Sequence, residues 1–336
     1  MKFKATIIVL LVATAGWFGW WWLAAQGQKA ALNAWLDERR EAGWQAEALS
    51  IDVGGFPNRV DADLTEIALA DPGSGWAWNA PRLAIYQIIY KPTEAIVIWP
   101  EEQRIAAPGA RATLRSELMR ASFSFETTEA LTLERNSFEV RNGAIAADAG
   151  WTAGVDYYNH HIRPSTGDIG PNAYEFVAEA TNLRLPDFIR RTIDPSNALP
   201  PAIEAIRIEG AAAFDTPLDR HAFERVKPQL TALTLLPSEG VWGDLALRMS
   251  GAITADSSGY AEGSFSISAK NWEDMLDAAV ISGAINKSLS DALKLGLGFV
   301  ARLSGGRNTL DVALTFEAGY TKIGPVPLGP APRLLR

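Results

Sequence analysis

The chain contains no cysteine in 336 residues. Disulfides, a thiol nucleophile, Cys-ligated zinc and lipidation of a lipoprotein cysteine are excluded, so packing alone must hold the fold. Histidine is almost as scarce: His160, His161 and His221 are the full set. Adjacent histidines point in different directions on a strand or a helix, and no zinc-type spacing occurs. A Lys/Arg block is missing as well. The net charge is −8 and the pI is near 5.1, which argues against a nucleic-acid partner. There is no G-x-S-x-G elbow, phosphate loop or dinucleotide fingerprint. Gly73-Ser74-Gly75 is too short and lies among turn residues. Asp61 and Asp63 alternate with Val60, Ala62 and Leu64, the pattern of a solvated strand face rather than an acid–base pair. The expectation is a non-enzymatic protein with no catalytic residues, cofactor or metal site.

What is present begins at the N-terminus. Lys2 and Lys4 precede an uncharged run from Ala5 to Ala25. About 20 apolar residues cross a bilayer as a helix, and the flanking lysines orient the N-terminus to the cytoplasm. Trp17, Trp20, Trp21 and Trp22 cluster at the far end, where indoles suit the membrane–water interface. A cleaved signal peptide is the competing reading, with Ala25-Gln26-Gly27 as a cleavage site, but four tryptophans just before it fit poorly. The expected location is the bacterial inner membrane, with one span and the bulk of the chain in the periplasm. Residues 1–27 are read as that anchor or signal sequence. Residues 28–43 read as a helical stalk with Leu32, Trp35, Leu36 and Arg39 on one face, ended by Gly43.

Beyond Gly43 the period changes from helical to two. Gln45–Val53 reads as a strand. Ala121, Phe123 and Phe125 oppose Ser122, Ser124 and Glu126. Phe265, Ile267 and Ala269 oppose three serines, and Leu310, Val312, Leu314 and Phe316 oppose polar neighbours. Such alternation marks antiparallel sheet with one face buried. Asp71–Gly75, Asn142-Gly143, Ser258-Gly259 and Ser304–Gly306 punctuate the runs. Asp156–Asn172 is rich in turn formers and reads as a long loop. Two late segments break the pattern. Asn271–Ala279 reads as a helix with Asn271 at its N-cap. Ser288–Leu303 reads as a helix with Leu289, Leu293, Gly296, Val300 and Leu303 on one stripe. The fold class is therefore mainly β: curved antiparallel sheets in two halves, 44–160 and 161–336, with a few covering helices in the second half and an N-terminal transmembrane helix.

One short stretch stands out. Gly54-Gly55-Phe56-Pro57-Asn58-Arg59 sits between two alternating runs. The glycines permit a tight reversal, and Pro57 biases Phe56 toward extended geometry. Gly54, Gly55, Phe56, Pro57 and Arg59 are read as a structural corner, with Phe56 tucked into the core and Arg59 paired to a carboxylate or carbonyl. The last residues, GPVPLGPAP, contain Pro325, Pro327, Pro330 and Pro332, which cannot serve a central strand. They read as an extended strap with Val326 and Leu328 as anchors. In Ile85–Trp99 apolar residues occupy both strand faces. Ile85, Ile88, Ile89, Tyr90, Val97 and Trp99 are therefore the candidate lipid or partner face, while the strand at Leu310–Phe316 is expected to be covered by the late helices.

Gly55-Phe56-Pro57-Asn58-Arg59, Asn271-Trp272 and Gly319–Leu334 together resemble the bacterial domain-of-unknown-function family 2125. That family looks distantly like AsmA-like envelope proteins, which are membrane-anchored and β-rich; the likeness implies a part in moving or organising lipids, by architecture alone. Three functions stay open. The first is an envelope protein that handles or organises lipid on an apolar sheet face. The second is a non-catalytic scaffold or assembly partner for other envelope proteins. The third, least favoured, is a hydrolase without a recognisable motif.

Overall fold

The computed structural model describes residues 2–194, 197–220, 222, 227–281, 283, 285–303, 308–324 and 326–335. His221, Ser304, Gly305, Gly306 and Pro325 lie outside the described residues, as do the side chains of Val300 and Leu303. The chain divides into two compact units. The first contains residues 1–125 and 139–150, the second 126–138 and 151–336.

The first unit opens with helix α1, Lys2–Glu41, unbroken over 40 residues, about 60 Å at 1.5 Å per residue. It ends where Gly43 takes φ +87° and its N–H bonds back to the Arg40 carbonyl. Strands β1 Gln45–Glu47, β2 Ser50–Gly54, β3 Arg59–Asp71, β4 Trp76–Ile88, β5 Lys91–Ile98, β6 Glu102–Ala107, β7 Ala110–Arg115 and β8 Leu118–Phe125 follow. Strand β9, Leu133–Ala147, gives its last residues to this unit, where Ala144–Ala147 pairs with β7. All these pairings are antiparallel. β3 is central, with β1 and β2 on one side and β4 on the other. β4 then pairs with β5 along one part of its length and with β6 along another. The single strand expected at Gln45–Val53 is two. Its interruption at Ala48-Leu49 lies opposite Glu66 and Ile67, where Glu66 has φ +45° and Leu49 is exposed.

The core of this unit lies between α1 and the sheet. Leu36 of the helix is buried against Ile51, Leu64, Leu69 and Trp78, and Leu32 packs beside it. The stalk is thus one wall of the core. Trp35 is half-exposed instead, stacked with the Arg39 guanidinium.

Among the described residues the second unit holds the first part of β9 (133–138) and a meander of nine antiparallel strands, each paired with the next: β10 Thr152–Pro164, β11 Ala173–Leu183, β12 Ile203–Phe214, β13 Leu230–Trp242, β14 Leu245–Ala255, β15 Ala261–Lys270, β16 Thr309–Glu317, β17 Tyr320–Ile323 and β18 Val326–Pro330. Helix α2, Asp187–Ile193, interrupts β11 and β12, and helices α3, Trp272–Ile281, and α4, Lys287–Leu303, interrupt β15 and β16. Two expectations are corrected here. Asp156–Pro164 is strand, not loop, because its polar side chains bond laterally: Asn159 donates to Tyr157 and Asn182 to Asp156. Asn271 precedes α3 as expected, but it serves by adopting φ +56° while its amide donates to the Asp244 carbonyl.

Of the stripe expected on α4, Leu293 is buried and Leu289 is partly buried against the same cluster, while the side chains of Val300 and Leu303 lie outside the described residues. Among the described residues Ser290, Leu297 and Ala301 are buried as well, and Leu295 is exposed. The strap runs as β18, paired with β17, and Val326 and Leu328 pack on the cluster under α4.

Candidate functional site

The inner face of the second unit can be followed row by row. Ile206 pairs with Gly240, Gly240 with Leu247, Leu247 with Ala269 and Ala269 with Leu310. Side chains directly opposite across strands share a face, so this row crosses five strands on one side of the sheet. Its two ends have different fates. Ala269 and Leu310 are buried under Trp272 of α3 and Leu293, Leu297 and Ala301 of α4. Leu247 is 37% exposed and Ile206 half-exposed. The helices cover β15 and β16, and on the β14 side Met275 of α3 borders the open face.

Beyond Met275 the uncovered face forms an apolar cavity of about 390 Å³, lined chiefly by Ile206, Ile208, Trp242, Leu245, Leu247 and Met249. That volume lies within the range of small-molecule and cofactor pockets. Although Arg207 and Glu239 also border the cavity, alternation turns most of the charge toward the reverse side. Arg207, Glu239 and Arg248 oppose one another there, with Arg248 paired to Glu239 and Arg207 to Glu179 and Glu209. Two local devices shape the cavity. A bulge in β13, where Pro237 has no N–H to give, brings the buried Ser238 hydroxyl to the Glu209 N–H at 3.0 Å. The Trp242 indole donates to the Pro200 carbonyl at 2.9 Å, which fixes the ring at one end. On the floor sits Gly240; a Cβ there would meet nothing within 4 Å.

The residues singled out from sequence are placed as follows. Ile85, Val97 and Trp99 share one face of the first unit's sheet by register, and Ile85 and Trp99 pack against its core. Ile88 lies on the other face. Ile89 is buried with Ala25 and Val60, while Tyr90 is 66% exposed in the turn. The six do not converge. The open apolar cavity belongs to Trp242, Leu245, Leu247 and Met249, whose alternation is plain in the sequence but looks the same covered or uncovered.

The corner Gly54–Arg59 is fixed by contacts that sequence reasoning did not foresee. Phe56 does not enter the core. It is 46% exposed and packs edge-on against Phe18 and Trp21 of α1, with ring centroids 5.6 and 5.5 Å away. Trp17 donates its indole N–H to the Pro57 carbonyl and Trp21 to the Arg59 carbonyl. The Phe56–Pro57 peptide is cis and Gly55 has φ +99°. Arg59 pairs with Asp61 and lies over Tyr86. Asp61 itself is buried, not solvated as its alternation suggested, whereas Asp63 pairs with Arg82.

His160 and His161 stand on β10. The His160 ring packs against Phe138 and Tyr158 and bridges the side-chain amide oxygen of Asn136 at 2.7 Å and the Tyr158 hydroxyl at 3.2 Å. Burial, with His161 beside it, lowers its pKa, and the neutral ring with Nε2–H donating fits both partners. The unfolded chain then takes up a proton near pH 6.5 that the folded chain refuses. Stability should therefore be full above about pH 6.5 and fall as pH drops below it. Thermal unfolding between pH 7.5 and 5 should show this slope, and His160→Gln should flatten it; an identical slope in the variant would assign it elsewhere.

The described residues thus define a β-rich protein carried on a single long helix, of which Phe3–Glu41 is apolar and long enough to cross a membrane. The chain belongs to the family described as uncharacterised protein conserved in bacteria (DUF2125), whose profile matches residues 21–332. The match begins within the tryptophan cluster of α1. No curated protein and no solved structure matches the chain. The family-resembling segments all lie at structural joints: the corner against α1, Asn271-Trp272 at the start of α3, and Gly319–Leu334, where Ala331 and Leu334 close a second cluster around Ile253, Phe265 and Phe316.

Proposed function

We propose that this is an inner-membrane protein, anchored by an uncleaved α1 with Lys2 and Lys4 in the cytoplasm and the remainder in the periplasm, which binds the acyl chain of a lipid on the open face of β12–β14. The observation that carries the lipid reading is the row from Ile206 to Leu310. It is roofed over β15 and β16 and open over β12–β14, and the open part is apolar apart from Arg207 and Glu239 at its border, which are paired with Glu179 and Glu209 and with Arg248. A ligand that buries methylene groups gains about 0.8 kcal/mol for each, and nothing on the floor asks for a polar partner. Retention of α1 is supported by its role in the core: Trp21, Ala24 and Ala25 pack with Val60 and Ile89, so cleavage after Ala25 would strip a folded contact.

The test uses Gly240→Phe, which has room on the floor and fills the cavity. Full-length protein extracted from membranes in mild detergent should carry lipid by native mass spectrometry, and the variant should lose it while keeping its unfolding profile. Peptide mapping of the same preparation should recover Trp17–Trp22. Equal lipid in both proteins, or none in the wild type, would remove the acyl-chain reading and leave the scaffold.

A further inference from the structure

We propose that the loop Gly54–Arg59 and the adjoining turn at Tyr90 form a second membrane contact, inserted into the leaflet on the tryptophan side of the bilayer that α1 spans. The inference rests on the reading of α1 as a span and goes beyond it. Depth is the first argument. A hydrocarbon core of about 30 Å takes about 20 helical residues, which from Ala5 extends to Ala24. Trp17 lies seven residues inside that limit, about 10 Å at 1.5 Å per residue, and helical side chains lean further toward the N-terminus. The Pro57 carbonyl is bonded to the Trp17 indole at 2.7 Å, so the loop shares that depth.

Chemistry is the second argument. Irregular backbone in lipid must have its polar groups satisfied. Four carbonyls here are. That of Gly55 accepts from the Arg59 N–H, Pro57 from Trp17, Asn58 from the Ile89 N–H and Arg59 from Trp21. Pro57 has no N–H to satisfy. Of the residues turned outward, Phe56 and Tyr90 are 46% and 66% exposed and suit an interface, since aromatic rings favour the headgroup level, and the exposed Arg59 guanidinium is paired with Asp61. Lys91, beside Tyr90, is half-exposed and paired with Glu94 at 2.8 Å, a surface pair weak enough to be exchanged for a headgroup phosphate. The Ile89–Asn58 hydrogen bond ties turn and loop into one tip.

The absence of cysteine makes the test direct. Single substitutions Tyr90→Cys and Phe56→Cys in the full chain give spin-labelling sites without removing any native thiol. Val12→Cys in the span and Ala110→Cys in the exposed β6–β7 turn serve as references. After reconstitution into phosphatidylethanolamine/phosphatidylglycerol vesicles, labels at 90 and 56 should lose access to an aqueous nickel chelate and gain access to oxygen, as the label at 12 does. Tyr90 carries the test if Phe56→Cys disturbs the aromatic contact. Labels at 90 and 56 as chelate-accessible as the one at 110, with 12 protected, would overturn the second contact while leaving the span. Chelate access at 12 as well would overturn both.

Discussion

Leu310→Ala should destabilise the second unit by about 2–5 kcal/mol, whereas Leu247→Ala, two strands along the same row from Leu310, should change it by less than about 1 kcal/mol. The two leucines lie on the same sheet face, joined through Ala269. Leu310 is 4% exposed beneath Leu293 and Leu297, and Leu247 is 37% exposed in the open cavity. Truncating the first leaves a hole that packed helices cannot collapse into, while truncating the second only widens a space already open. Hydrogen exchange over β14–β16 in the full-length chain would measure both. Equal losses would mean that Leu247 is ordinary core and the face is closed. The aspartate variants should widen the contrast. Leu310→Asp buries an unpaired charge and should prevent this region from folding, but Leu247→Asp keeps access to water and should chiefly displace an apolar ligand.

Gly55→Ala is expected to be the most damaging small change in the first unit. At φ +99° a side chain is strained whatever the space. Here there is no space either: a Cβ would stand 2.9 Å from the Arg59 carbonyl oxygen. Strain of this kind costs about 1–3 kcal/mol, and the backbone must also move. The carbonyl that would be pushed is the one that accepts the Trp21 indole, so the displacement passes directly to the aromatic contact with α1. Loss of exchange protection should appear both at residues 54–60 and at β3's first residues. Gly54→Ala is the control, because a Cβ there meets nothing within 4 Å and its φ is ordinary. Indistinguishable behaviour of the two variants would remove the corner from the stabilising elements of the fold.

Much of the architecture was legible because antiparallel strands with one wet face repeat every two residues. β15 and β16 were readable in this way, and so were the two helices between them. β10 was not. Tyr157, Tyr158, Asn159 and His160 look like loop residues until their lateral partners, Glu179 and Asn136, are in place across neighbouring strands. On α4 the run Leu293–Leu297 offers several apolar faces, and only contact with Leu310 and Val312 selects the one that is buried. The same limit explains the candidate face. The alternation of Leu245, Leu247 and Met249 records that one side is apolar, but whether a helix lies over it depends on where α3 ends, a tertiary fact. Phe56 was expected inside for a similar reason: an aromatic next to proline shows no preference between a core and the flank of a distant helix.

The continuity of α1 has a mechanical consequence. If α1 spans the bilayer as proposed, its unbroken run into the first unit's core makes it a lever, not a tether. β3 carries 13 residues from Arg59 to Asp71, about 40 Å at 3.3 Å per residue. If the span leans by a typical ~20° to match a thinner bilayer, a point that far along the sheet swings sideways by roughly 14 Å. Anchored as proposed, the protein would convert local membrane thickness into the position of its turn at Asp71–Trp76.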